Sequence, residues 1–377
     1  IMINLTVIIL RETAVQWYKP TYKSPFYPYI QIFGIISGFI LLFYLGWMPI
    51  LTIFVVILIG SVLYYIYGSK TSRSGVLKNY GKHPAKFLFF KKHNNQITES
   101  KEHQEWLDGE INPNAGVIIP LLGNEFSPES LVEIGASINN KKILQIVNIK
   151  EVPDQTSLDP SLAEDLKLKS IRRQISVVEK VNNLQIDFES IVTHNVTDTM
   201  QSLSITDKDN WLVLGWNGKI HNGILIKNPV GWLISNIKSN FALFKDNGVR
   251  YIKKVVLAVR PNSKDINELI SISSRLCSFY KSELTILHVL NNEEYQNKKQ
   301  ILIKSEELIY NEKISANIRM EKSSNPIKCV SNITSEYDLL ILGTPRKDTI
   351  IRMLFGTGKD DFAVKSTCSV LRLTITR

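Results

Sequence analysis

Two uninterrupted apolar runs near the start, Pro28 to Gly46 and Met48 to Tyr67, constrain this chain more than any other feature. A helix rises about 1.5 Å per residue, so about 20 apolar residues cross the hydrocarbon core of a bilayer. Neither run contains an Asp, Glu, Lys, Arg or His. The sequence therefore predicts a transmembrane α-helical hairpin, with spans at about 28–46 and 48–67, followed by a long water-soluble tail.

Basic residues set the orientation. Arg11, Lys19 and Lys23 precede the first run, seven lysines and arginines from Lys70 to Lys92 follow the second, and the connection around Trp47 and Pro49 has none. Both outer flanks are thus expected on the cytoplasmic side. Residues 1–92 hold ten Lys or Arg and one acid, Glu12, which accounts for +9 of the net +10. The pI near 9.2 is therefore a juxtamembrane property suited to anionic headgroups. A basic face for nucleic acid is not expected of a tail that is nearly neutral, so the partners expected are the lipid bilayer and no nucleic acid.

Residues 1–10 are apolar before any charge appears, and no small-residue cleavage site follows. This order is wrong for a secretory signal. It fits the last turns of a further transmembrane helix, in a chain whose beginning is missing, or a short interfacial segment. Residues 69–113 form a basic juxtamembrane connector, with Lys86-Phe87-Leu88-Phe89-Phe90-Lys91-Lys92 suited to a membrane surface. Its second half, rich in Asn, Glu and Gln, reads as a docking helix around Trp106 or as a solvated linker.

From Ala115 the pattern changes to short β-rich runs alternating with helical ones, as in a parallel sheet covered by helices. Strands are expected at Gly116–Leu122, Ile143–Ile149, Leu184–Thr193, Trp211–Gly215 and Phe241–Lys245, with helices at Pro128–Asn139 and Ser161–Val181. The series then repeats. Strands are expected at Lys254–Val259, Glu283–Leu290, Ser315–Met320, Asp338–Leu342 and Ser369–Thr374, with helices at Asp265–Tyr280, Asn292–Tyr310 and Pro326–Thr334. Two tandem α/β domains follow, at 114–248 and 249–377, each with a parallel five-stranded sheet.

In both units an acid or amide leads into an apolar strand that ends in glycine: Asn210 to Gly215 in the first, Asp338 to Gly343 in the second. A glycine there permits a sharp turn and lets backbone N–H groups face a ligand at the carboxyl end of the sheet. The second unit adds Gly356-Thr357-Gly358, where amides and a hydroxyl suit a phosphate.

With these residues the tail resembles the universal stress protein family, of the adenine nucleotide α-hydrolase-like fold. ATP-binding members carry G-x-x-G, nine residues, then G-S or G-T. Gly343, Arg346, Gly356 and Thr357 stand at those four positions, so Arg346 replaces the second glycine. Its guanidinium fork is itself suited to phosphate. Family binders also usually end their first strand with Asp, where this chain has Arg260 after Val259. In the first unit Asn228-Pro229 replaces the Gly-hydroxyl pair. The resemblance implies ATP or AMP as the cofactor of the second unit, at Gly343, Arg346, Gly356, Thr357 and Gly358. The alternative is that Gly343 and Gly356 are turn residues.

The start resembles the end of an amino acid permease of the amino acid-polyamine-organocation superfamily. Asn4-Leu5-Thr6-Val7-Ile8-Ile9-Leu10-Arg11-Glu12 is similar to the apolar run and basic residue that end one of its helices. Tyr22-Lys23-Ser24-Pro25-Phe26-Tyr27-Pro28-Tyr29-Ile30 is similar to the Pro-rich loop before its next-to-last helix. Gly34 and Gly38 allow close helix approach. The substrate site of these carriers would lie in a part of the fold that precedes this chain.

Catalysis is not expected. The six His are scattered, the three Cys are unpaired in sequence, and no nucleophile–base set or metal-ligand spacing appears. The reading is the C-terminal portion of an amino acid transporter in the cell membrane. Its cytoplasmic pair of domains senses nucleotide or mediates pairing, as a homodimer or within one chain. A two-span tethered sensor or scaffold, and a cation or proton antiporter with the same tail, are the alternatives.

Overall fold

The computed structural model describes residues 1–12, 25–63, 114–123, 127–138, 143–153, 166–194, 196–204, 210–216, 239–261, 263–312, 314–344 and 360–375, with a few isolated positions between them. The basic connector, apart from residue 112, lies outside the described residues. The chain divides into two compact units: the first holds residues 1–93 with 152–157 and 221–229, and the second holds the remainder.

The first unit contains α1 (Met2–Glu12), α2 (Tyr29–Tyr44) and α3 (Trp47–Leu63). Gly34 on α2 faces Asn4 of α1 and Gly38 faces Ile1, just before α1, and an added Cβ at either would collide. These glycines therefore set how closely the two helices pack. The expectation of two separate spans is corrected here. At 16 and 17 residues, α2 and α3 each reach only about 25 Å against a core about 30 Å thick. No single described helix is long and apolar enough to cross a membrane, and the two meet that test only as a pair bent by 116°. Gly46, with φ +93°, sits at the bend, a conformation that side chains disfavour. None of the residues of α3 is buried.

The second unit is built on ten strands: β1 (Ala115–Leu121), β2 (Ile143–Glu151), β3 (Ile186–Thr193), β4 (Trp211–Gly215), β5 (Asn240–Lys245), β6 (Lys254–Ala258), β7 (Glu283–Leu290), β8 (Ala316–Lys322), β9 (Leu339–Gly343) and β10 (Ser369–Thr374). Its helices are α4 (Pro128–Ile138), α5 (Leu166–Asn182), α6 (Val196–Leu203), α7 (Ile266–Tyr280), α8 (Asn292–Gln296), α9 (Lys298–Asn311), α10 (Pro326–Ile333) and α11 (Asp361–Lys365). The two separate five-stranded sheets expected from the sequence are one continuous sheet, in the order β3-β2-β1-β4-β5-β10-β9-β6-β7-β8. All neighbours are parallel except β5 and β10, which pair antiparallel from Val370↔Lys245 to Thr374↔Phe241. Each fifth strand thereby removes the other's open edge.

The same strand order on each side of that seam gives the sheet an internal twofold pattern. One face carries a single apolar core running across the seam, from Val117, Ile119 and Ile146 to Val255, Leu257 and Ile341. On the other face the core is divided. Ile118, Met200, Leu203 and Phe241 cluster in the first half, and Val256, Val330, Leu340 and Ala363 in the second, with Trp216 packed against both.

Polar contacts fasten the seam. The Asn247 amide donates to the carbonyls of Ser366, Thr367 and Cys368 at 3.2, 3.4 and 2.7 Å, and Lys245 Nζ donates to Ala363 O at 2.7 Å. On the shared-core face α4 packs on α7. There the Tyr280 hydroxyl donates to the Glu133 carboxylate. Burial pushes Glu133 up, and the Tyr280 bond pulls it the other way.

Candidate functional site

Of the five residues singled out for phosphate or nucleotide, Gly343 is described; Arg346, Gly356, Thr357 and Gly358 lie outside the described residues. Gly343 is the last residue of β9, in register with Leu373 of β10. A Cβ there would collide with the Leu269 side chain of α7. In the first half Gly215 ends β4 under Leu131 of α4, with a looser approach of 3.2 Å to Leu131 Cδ1. The glycine that closes each fourth strand thus lies under a leucine of the helix above it, in collision range at Gly343 and more loosely at Gly215.

Beside Gly343 lies a buried polar cluster that sequence reasoning missed. Arg372 projects from β10 and is 5% exposed, while Asp360, which starts α11, is 0% exposed. Arg372 Nε stands 2.5 Å from Asp360 Oδ2, but neither atom completes an aligned hydrogen bond. The contact is therefore charge against charge. Asp360 Oδ1 accepts from the backbone N–H groups of Phe362 and Ala363 at 3.1 and 3.4 Å, capping α11. Arg372 also reaches the Gly343 carbonyl at 3.5 Å, and Thr374 Oγ1 donates to Thr344 Oγ1 at 3.1 Å. The pair anchors both flanks of the stretch that carries Arg346, Gly356, Thr357 and Gly358. The sequence signal was a single Arg in the otherwise apolar Ser369–Thr374 run.

A second buried group was also passed over. His288 on β7 is 0% exposed, with Nδ1 2.9 Å from Val259 O and Nε2 3.1 Å from Ser305 Oγ on α9. Burial lowers its pKa, and the Val259 bond opposes this. Nδ1 donates to Val259 O, while the Ser305 hydroxyl beside Nε2 directs its own proton at Ile301 O, 2.8 Å away. The imidazole ties down the exit of β6, from which the exposed Arg260 projects at the position discussed above.

Near the start of α11, an open cavity of about 590 Å³ is lined by Asn325, Ile327, Lys328, Ser331, Asp361 and Lys365. Asn325 caps α10 by accepting from Lys328 N at 3.1 Å. Ser331 donates to Lys365 O at 2.6 Å, which joins α10 to α11. Among the described residues no three His, Cys, Asp or Glu side chains gather as a metal ion would need.

No protein-family model matches the chain, and no curated protein matches it. Solved structures do. A universal stress protein from Archaeoglobus fulgidus is similar over 69% of this chain and 96% of its own, at 14% identity and a TM-score of 0.47. The cytoplasmic domain of a prokaryotic cation chloride cotransporter is similar over 69% of this chain and 95% of its own, at 15% identity and a TM-score of 0.43. A universal stress protein in complex with cAMP is similar over 33% of this chain and 98% of its own, at 17% identity and a TM-score of 0.28.

Proposed function

We propose that this chain is the regulatory, C-terminal portion of a membrane carrier for amino acids, and that its doubled α/β sheet is a cytoplasmic module that answers to an adenine nucleotide and biases transport. The observation that carries this reading is the joint presence, on one chain, of the exposed apolar pair α2–α3 and a ten-stranded open sheet. In such sheets ligands sit outside the carboxyl ends of the strands, and Gly343, Thr344 and Arg260 lie at those ends here. Arg346 and the Gly356-Thr357-Gly358 stretch would supply the phosphate contacts. The amino acid assignment draws on the permease-like segments at Asn4–Glu12 and Tyr22–Ile30.

A second reading, a membrane-tethered scaffold with no nucleotide site, is favoured by one observation. Leu269 already accounts for Gly343, so that glycine needs no ligand to explain it.

Transport is tested with the polypeptide as encoded in its natural reading frame, inserted into liposomes. Saturable uptake of a radiolabelled amino acid, above protein-free liposomes, is the expected result. Inserted protein that moves no amino acid would overturn the carrier reading and leave the tethered one.

A further inference from the structure

We propose that the outer face of α5 is a docking surface for an anionic lipid bilayer, a role that rests on the membrane reading above. α5 has two apolar faces. Leu168, Ile171, Ile175 and Val178 point inward and are buried. On the opposite side Leu166, Val177 and Val181 are 86, 56 and 76% exposed. At about 100° per residue these three fall within one sector of the helix, together with Lys169, Arg173 and Lys180. Those three cations are exposed as well.

The charge on this helix is local. α5 carries five Lys or Arg against Glu179 alone, whereas residues 93–377 as a whole sum to about +1. Two of the five are turned to intramolecular work: Lys167 Nζ donates to Gly123 O, and Arg172 lies over the Phe188 ring at 5.0 Å and pairs with Glu164 at 3.9 Å. Lys169, Arg173 and Lys180 are the ones that surround the exposed aliphatics.

Aliphatic side chains fenced by cations match a headgroup layer, where methyl groups enter the acyl boundary and ammonium or guanidinium groups meet phosphate. Duplex nucleic acid would use the cations and leave Leu166, Val177 and Val181 in water. An acidic protein surface would give the aliphatics no such layer. A bilayer uses both components of the face.

The test uses the full chain with vesicles of phosphatidylcholine alone and of phosphatidylcholine mixed with phosphatidylglycerol. Flotation reports association. A membrane-impermeant amine reagent, read by mass spectrometry, reports access to Lys169 and Lys180, with the exposed Lys299 of α9 as reference. Each basic side chain at an anionic surface is worth about fivefold in binding. Labelling of Lys169 and Lys180 is therefore expected to fall by roughly tenfold in the anionic vesicles and not in the neutral ones. Changing all three cations to Gln removes both reporter amines, so this variant is read by flotation alone, and its docking should weaken by on the order of 100-fold.

Flotation with neutral vesicles reports the apolar pair, and labelling reports α5, so either can fail alone. A chain that floats in both lipids with equal labelling of Lys169 and Lys180 overturns the docking surface. A chain that floats only with anionic vesicles, and no longer after the triple change, keeps the docking surface and overturns insertion. Floating with neither overturns both. Protection by duplex DNA as strong as by anionic vesicles would also overturn the lipid assignment.

Discussion

Replacing Arg372 by Met is expected to lower the stability of the second unit by about 3–5 kcal/mol, because it leaves the Asp360 carboxylate buried without a counter-charge. The geometry is what makes the effect large. Both side chains are almost wholly removed from water, their charges meet at 2.5 Å, and Asp360 also holds the first turn of α11. Desolvation makes such a pair costly to keep, yet costlier to break on one side. The double change Arg372→Met with Asp360→Asn should therefore recover a substantial part of the loss, since the amide can still accept from Phe362 N–H without carrying charge. Hydrogen exchange of the β9 and β10 amides in the full chain checks both variants. Equal exchange in wild type and Arg372→Met would show that the pair contributes nothing.

Gly343→Ala is expected to cost about 1–3 kcal/mol by overpacking against Leu269. Leu269→Ala alone should cost about 2–5 kcal/mol through the cavity it leaves. Together the two should cost less than their sum by on the order of 1 kcal/mol, as residues in contact do. The first half supplies an internal comparison. Gly215 has its leucine at 3.2 Å, a tight approach that a shift of a few tenths of an ångström relieves, so Gly215→Ala should be clearly milder than Gly343→Ala. Denaturant unfolding of the four variants measures this, and additive losses at 343 and 269 would contradict the packing account.

Much of the second unit was legible in its sequence. The runs Trp211–Gly215, Glu283–Leu290 and Ser369–Thr374 fold as strands with the bounds read from them. Each is an apolar stretch of the right length closed by a turn or a polar residue. The stretch Asn292–Tyr310 read as one helix, but it breaks at Asn297 into α8 and α9. Asn291 and Glu294 form a capping box that gives the short first piece its own start. α6 went unread because Val196–Leu203 is short and half polar. It exists by placing Met200 and Leu203 on the first-half core.

The joining of the halves was not legible. It depends on β5 and β10 meeting antiparallel at residues more than a hundred positions apart, and strand composition does not specify such a partner. The candidate site shows the same division. The sequence marks Gly343 through its position at a strand end, while the reason for the glycine, Leu269, lies seventy-odd residues away on another element. Arg372 and His288 each interrupt an apolar strand. A charged or titratable residue there must find a buried partner, and that signal was available in the sequence even though Asp360 and Ser305 as the partners were not.

The bent pair α2–α3 shows where a hydropathy pattern stops. The apolar length was evident, but the break at Gly46 is a backbone event. Among the described residues it divides that length into two helices, neither of which is long and apolar enough to span alone.

Calorimetric titration of the full chain in lipid nanodiscs with ATP, and separately with AMP, tests the central claim most directly. The account predicts saturable heat with one site per chain, weakened at least tenfold by Arg346→Ala. No heat with either nucleotide at the highest attainable protein concentration would contradict nucleotide sensing and leave the tethered scaffold as the function of the sheet.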